Sequence, residues 1–356
     1  MKILHIIDGL GAGGAEKLIV DTVPLLVERN NKVDVLLLNG EKTPFYSELE
    51  KKNCCNIYSL GKSFYNPFYI FKIIPYLFKY EVVHVHLFPA QYFAAIARIF
   101  CWKKQKFIFT EHSTSNRRLE NKKLKTLERF IYSFYNKIIC ITPEVKKVLI
   151  NKLGIEDHKL IVIENGVDID KINTVQPYSK EALGFNNHDK LLIMVAGFRE
   201  LKDQDTLIRT LSLLPEKYKL ILVGSGERGD KLKQLVEHLG LQDRVHFLGV
   251  RSDVYALYKM CDIAVLSSHV EGFGIAAVEA MACETPLIAS AVEGLAQVVS
   301  GGGILFEKEN TEALKGCILN LENEAYYKEI ALKGKIKAQQ FDIKTLVDKT
   351  IDIYYN

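Results

Sequence analysis

Between Glu271 and Glu279 the chain reads Glu-Gly-Phe-Gly-Ile-Ala-Ala-Val-Glu, directly after the apolar run Ile263 to Leu266 and at the opening of a helical pattern. Gly272 and Gly274 lack Cβ atoms, so the backbone can come close to a ligand, and the free N–H groups of a helix start attract a diphosphate. Glu271 precedes that anion site. Glu279 lies four residues past Ile275 on the same helix face, where a carboxylate can accept hydrogen bonds from both hydroxyls of a ribose. The plainer alternative is a helix start whose glycines only turn the chain and whose Glu279 is solvated.

Two cations stand at the end of another strand-like run, in Ala196-Gly-Phe-Arg199-Glu-Leu-Lys202-Asp203. An Arg fork and a Lys point charge together suit a diphosphate held from the side opposite Gly274. Val223-Gly224-Ser-Gly226 and Phe247-Leu-Gly249-Val-Arg251-Ser-Asp253 end two further strands with loops suited to ligand contact. Near the N-terminus, Gly9-Leu-Gly11-Ala-Gly13-Gly14 contains G-x-G-x-x-G and by itself suggests a dinucleotide. The acidic ribose ligand expected at the end of the next strand is missing, since Leu36-Leu-Leu38 runs into Asn39-Gly40. The same glycines would otherwise let the backbone approach a phosphate or a sugar.

These residues need strands to carry them, and strand-like runs alternate with helix-length segments along almost the whole chain. They fall at Ile3 to Ile7, Val33 to Leu38, Val82 to Val85, Phe107 to Thr110, Ile138 to Ile141 and Leu160 to Ile163. After the irregular Asn165 to Ser179 the rhythm restarts at Leu191 to Ala196, Lys219 to Val223, Val245 to Leu248, Ile263 to Leu266, Leu287 to Ala289 and Gly303 to Phe306. The pattern predicts an α/β protein of two doubly wound, Rossmann-like halves with ligand crevices at the carboxyl ends of parallel strands.

A length of 356 residues, 48% of them apolar, supports two cores and argues against disorder. No window of about 18 uninterrupted apolar residues occurs, and Met1 to Asp8 enters a strand pattern in place of a signal peptide, so the expected location is cytoplasmic. Seven cysteines without a CxxC pair fit reduced thiols better than disulfides or zinc. Charge is divided: residues 1 to 171 carry a net +8 and the rest −4. The excess gathers at Lys103, Lys104, Lys106, Arg117, Arg118, Lys122, Lys123, Lys125 and Arg129, close in sequence to the aromatic stretch Phe64 to Tyr80. Such a patch suits an anionic membrane surface or an anionic acceptor, against the alternative of a solvated helix face. No nucleic acid is expected as a partner.

GGAE at 13 to 16, TEHS at 110 to 113, NGVD at 165 to 168, Arg199 with Lys202, Gly224 with Gly226, and EGFGIAAVE at 271 to 279 together resemble the retaining glycosyltransferases of family 4, which have the GT-B fold. The resemblance covers nearly the whole chain and extends to Phe341-Asp-Ile and the helix after it, similar to the segment that in this fold crosses back to the N-terminal domain. It implies an acceptor-side domain of residues 1–170 with 342–356 and a donor domain of residues 171–341, facing across a cleft.

The resemblance also implies roles. Glu271 would bind donor-sugar hydroxyls, the amides around Gly272, Phe273, Gly274 and Ile275 the sugar and diphosphate, Glu279 the ribose, and Arg199 and Lys202 the phosphates. Gly14 would approach the diphosphate, Gly224 would lie in the donor site, Arg251 and Val254 would border the base, and His112 would contact the sugar near the anomeric centre. Many family members have Arg directly after the strand where this chain has Gly197, so the phosphate arginine is assigned to Arg199. His84 and His86 are expected to be structural or acceptor-side. The implied activity is retaining, metal-independent transfer from a UDP-, GDP- or ADP-sugar to a glycan or lipid-linked acceptor, in surface polysaccharide or glycoconjugate biosynthesis, with peripheral placement on the inner face of the cytoplasmic membrane as a further expectation. The alternatives are a non-catalytic nucleotide-sugar-binding protein and an NAD-dependent oxidoreductase.

Overall fold

The computed structural model describes residues 1–11, 13–113 and 122–356. Contacts divide them into two units, Met1–Asn165 with Ile343–Asn356, and Gly166–Asp342. The boundary lies at Gly166 and not at residue 171. Val167 bridges Asp342, and its N–H donates to the Phe341 carbonyl at 2.9 Å, which ties the turn after Asn165 to the second unit.

In the first unit, β1 (Lys2–Ile7), β2 (Lys32–Asn39), β3 (Ile57–Gly61), β4 (Val82–His86), β5 (Lys106–Glu111), β6 (Lys137–Cys140) and β7 (Leu160–Val162) form a parallel sheet in the order 3-2-1-4-5-6-7. Ile3, Leu4, Ile6, Ile7 and Leu36 are fully buried, as expected where helices cover both faces of a parallel sheet. One face is covered by the helices Gly14–Glu28 and Ile343–Tyr355. The second of these is fixed by the buried Val347 and Tyr354, by Tyr354 on His84 Nδ1 at 2.6 Å, and by Lys106 Nζ on the Tyr354 carbonyl at 2.9 Å.

The second unit repeats the winding. β8 (Lys190–Val195), β9 (Tyr218–Val223), β10 (Val245–Gly249), β11 (Ile263–Leu266), β12 (Leu287–Ser290) and β13 (Ile304–Phe306) run parallel in the order 10-9-8-11-12-13. Each sheet reverses its strand order once, between β1 and β4 and between β8 and β11. At such a switch point the connections leave in opposite directions and open a crevice at the carboxyl ends of the two strands. Among the described residues no helix is long and apolar enough to cross a membrane.

Candidate functional site

At the switch point of the second unit, the loops after β8 and β11 are stitched together by their backbones. Ser267 Oγ donates to the Asp203 carbonyl at 2.6 Å, and the His269 N–H donates to the Leu201 carbonyl at 2.9 Å. Lys202 lies between those anchor points, and its Nζ pairs with Glu271 Oε2, which also accepts from Ser268 Oγ at 3.4 Å. The side chains of Lys202 and Glu271 keep 26% and 15% of their exposure, so both are positioned yet reachable. Asp203 turns the chain in the left-handed region at φ 49° and caps the next helix, Gln204–Ser212, by accepting from the Thr206 N–H at 3.3 Å. Arg199 is exposed and makes no ion pair among the described residues.

Gly274 is the N-cap of the helix Ile275–Ala282, at φ 85°. That positive φ favours glycine, and a Cβ there would also lie 2.6 Å from Leu295 Cδ1, which would have to shift. Gly294 is constrained in the same way: its Cβ would press on the carbonyls of Glu271 and Gly272, so the 271–274 loop lies directly on backbone. Phe273 is buried against Phe341, with ring centroids 5.3 Å apart, and anchors the loop. The first turn of this helix carries no acidic residue, so its N–H groups meet no carboxylate of their own helix. Glu279 is 5% exposed and raises the pKa of both Tyr258 and Cys283 after their burial has done so, which rules out the solvated alternative.

The remaining second-unit residues are more committed. A Cβ on Gly224 would collide with the Ala196 backbone, so this glycine permits the turn after β9 to close on the loop that leads to Arg199. Arg251 makes two hydrogen bonds to Asp253, its Nε at 2.8 Å and its Nη2 at 2.5 Å, and holds that carboxyl down to about 2. Tyr178 donates to the same carboxylate at 2.6 Å. Val254 is buried at the start of the helix Val254–Met260.

In the first unit, Gly14 does open a helix behind the N-cap Gly13. The Glu16 carboxylate folds back over Gly13 so closely that a Cβ there would collide with it, the arrangement of a helix start served by its own acid at the third position. A dinucleotide pyrophosphate would meet that carboxylate, and the ribose acid at the end of β2 is missing as well. This helix start has an acid in its first turn, whereas the one at Gly274 has none.

His112 follows β5 and does not stand alone. His5 on β1, His84 and His86 on β4, and Thr110 on β5 occupy one face of the sheet, since His5 pairs His84 and His86 pairs Thr110 in register. With Leu18 and Thr22 of one covering helix and Thr350 and Tyr354 of the other, they line a cavity of about 40 Å³. His5 Nδ1 lies 3.0 Å from His86 Nε2, and His86 Nδ1 lies 3.3 Å from His112 Nε2. His84 is bonded through both nitrogens, to Tyr354 Oη at 2.6 Å and Thr110 Oγ1 at 2.7 Å. Sequence reading singled out His112 and set aside His86. The period-2 alternation Val82-Val-His84-Val-His86 places both histidines on one face, but their alignment with His5 depends on register between distant strands.

Burial lowers the imidazole pKa of His5 to about 3 and of His112 to about 4, and holds His84 and His86 well below the usual value. The unfolded chain therefore takes up protons near pH 6.5 that the folded chain refuses until the pH reaches those lower values, and stability falls as pH falls through that window. For the buried His5 the slope is about 1.4 kcal/mol per pH unit. The unfolding midpoint is expected to drop between about pH 7.5 and about pH 5.5, and less steeply in His5→Gln. Parallel slopes in the two proteins would contradict the assignment.

The family model described as Glycosyl transferases group 1 matches residues 175–340, and that described as Glycosyltransferase Family 4 matches residues 12–171. A Campylobacter jejuni N-acetylgalactosamine-N,N'-diacetylbacillosaminyl-diphospho-undecaprenol 4-alpha-N-acetylgalactosaminyltransferase is 26% identical over 362 residues, covering 96% of each chain. The Methanocaldococcus jannaschii glycosyltransferase MJ1178 is 32% identical over 254 residues, 69% of this chain and 67% of the relative. Among solved structures, Anabaena Alr3699/HepE in complex with UDP and glucose superposes with a TM-score of 0.87 at 23% identity, over 99% of this chain and 98% of the other, a likeness of fold. With both halves matched and two doubly wound units in the expected order, the chain belongs to the family 4-like glycosyltransferases of GT-B fold.

Proposed function

We propose that the protein transfers a sugar, with retention of anomeric configuration, from a nucleoside diphosphate sugar to a lipid-linked or glycan acceptor. The observation that carries the donor half of this reading is the Lys202–Glu271 pair beside the helix start at Gly274. Glu271 holds the Lys202 ammonium in place, and an ammonium has three N–H donors, so it can serve a phosphate while still paired. Lys202, Arg199 and the amides at Gly274 and Ile275 then meet the charge that grows on the diphosphate as its bond to the sugar breaks. Protein groups supply that positive charge, and no metal is assigned to it. Glu271 takes sugar hydroxyls, Glu279 the ribose, and Arg251 and Val254 the base side.

His112 contacts the transferred sugar. Held at about 4, it is a poor base near neutral pH, where a proton acceptor works best with a pKa close to the ambient value. This supports attack on the face the donor leaves: the acceptor hydroxyl bonds to the anomeric carbon, the bond from that carbon to the phosphate oxygen breaks, and that oxygen takes the hydroxyl proton. Lys202→Ala is expected to weaken UDP or GDP binding by about 1.5 to 3 kcal/mol, the worth of a charge-assisted hydrogen bond. Glu271→Gln is expected to lower kcat more than it weakens nucleotide binding. Unchanged nucleotide affinity in Lys202→Ala would overturn the placement.

For the acceptor, the supporting feature is an aromatic face and not the run of cations. Lys103 Nζ donates to the carbonyls of Phe78 and Tyr80, Lys106 Nζ to Tyr354, and Arg129 Nε to Leu153, so these charges are used inside the unit. Arg117 and Arg118 lie outside the described residues, as do the side chains of Lys122 and Lys123. Tyr69 is buried, whereas Tyr65, Phe68, Phe71, Phe100 and Trp102 are exposed, with Phe71 and Phe100 in ring contact at 6.3 Å and Lys79 and Lys104 exposed nearby in sequence. Aromatic rings with adjacent cations suit the boundary of an anionic bilayer, which is where a lipid-linked acceptor resides. The Campylobacter relative is named for a diphospho-undecaprenol acceptor. Trp102 is the sole tryptophan and 86% exposed, so its fluorescence reports insertion. A blue shift with anionic vesicles that salt weakens is expected. An unchanged spectrum with anionic and neutral vesicles alike would favour a soluble acceptor.

A further inference from the structure

His5, His86 and His112 form one hydrogen-bonded line that crosses three strands, from the buried ring on β1 to the ring that follows β5. The rings of His5 and His86 stack at 20°, 5.3 Å apart. Burial keeps all three neutral, and a neutral imidazole has one N–H and one lone pair. Each nitrogen–nitrogen contact needs one of each, so the protons must all point the same way along the line. If they point away from His112, His5 Nε2 carries the last N–H. That atom is buried and has no hydrogen-bond partner among the described residues. If they point toward His112, His5 Nε2 is left with a lone pair only. Among buried backbone groups an orphaned N–H is rarer than an under-satisfied acceptor, and the second direction follows that preference. A cavity of about 40 Å³ adjoins these rings and is large enough to hold a water, which could serve His5 Nε2 in either direction.

We propose that His86, backed by His5, is a positioning residue that fixes His112 as the tautomer protonated on Nδ1, so that His112 offers the transferred sugar an N–H donor and not a lone pair. His86 Nδ1–H donates to His112 Nε2, which leaves Nδ1, without a hydrogen-bond partner among the described residues, as the nitrogen to meet a ligand. The inference rests on the reading of His112 as a sugar contact, and it deepens that reading by stating which sugar group is recognised: an oxygen acting as acceptor. The same rings do not make a dication site. Both nitrogens of His84 are taken by hydroxyls, and the cavity lining holds no carboxylate to offset the charge.

Long-range proton–nitrogen NMR correlation of the full chain labelled at histidine nitrogen reads the tautomer directly, with the His112 signals assigned by their loss in His112→Gln. The ligand-free wild type is expected to show His112 protonated on Nδ1. His86→Asn keeps an amide donor where the ring Nδ1 stood and should preserve that tautomer, whereas His86→Leu should convert it to a mixture. In turnover, His86→Leu is expected to lose up to about 10-fold in kcat with little change in donor KM, and His86→Asn to recover most of it. A wild-type His112 protonated on Nε2, or identical behaviour of the Asn and Leu variants, overturns the proposal. Because the tautomer is read without substrate, failure of every nucleotide sugar to turn over would contradict the proposed reaction and leave this result standing.

Discussion

A parallel sheet that reverses its strand order must open a crevice where the two central strands end, and this constraint decides where chemistry can sit in both units. In the second unit the crevice receives the loops after β8 and β11, and two backbone-anchored hydrogen bonds bring Lys202 against Glu271. In the first, His86 at the end of β4 meets His5 of β1 on one face of the sheet and reaches His112 after β5. The two sites have opposite electrostatics. One gathers cations beside a helix start, and the other holds neutral rings that burial keeps from charging.

The glycines serve this arrangement in two ways. Gly294 is demanded by packing and Gly274 by its positive φ, and together they set the Glu271–Gly274 backbone at the mouth of a helix with no acid in its first turn. Gly13 and Gly14 open a helix too, yet Glu16 already covers that start. A string of glycines before a helix is therefore not enough to mark a phosphate site. The two starts differ in the charge of their first turns, Glu16 in one and no acid in the other.

The strand series was legible because fully buried parallel strands read as short apolar runs, and most ran one residue further into polar flanks than the apolar residues alone indicate. β3 escaped because it is a sheet edge with only Leu60 buried among five residues. The Glu271 to Glu279 spacing was legible as a helix start, since those residues are local in sequence. Its pairing with Lys202 was not, because it depends on β11 lying beside β8. The basic run misled for a similar reason: whether a lysine is solvated or caps a distant carbonyl, as Lys106 does on Tyr354, is decided by tertiary structure.

The central claim is a nucleoside diphosphate site in the second unit, and thermal unfolding of the full chain with UDP, GDP, ADP and NAD tests it most directly. A ligand that binds only the folded state raises the midpoint as its concentration rises. The account predicts that at least one of the three diphosphates raises it and that NAD does not. A rise with NAD alone, or with none of the four, would contradict it.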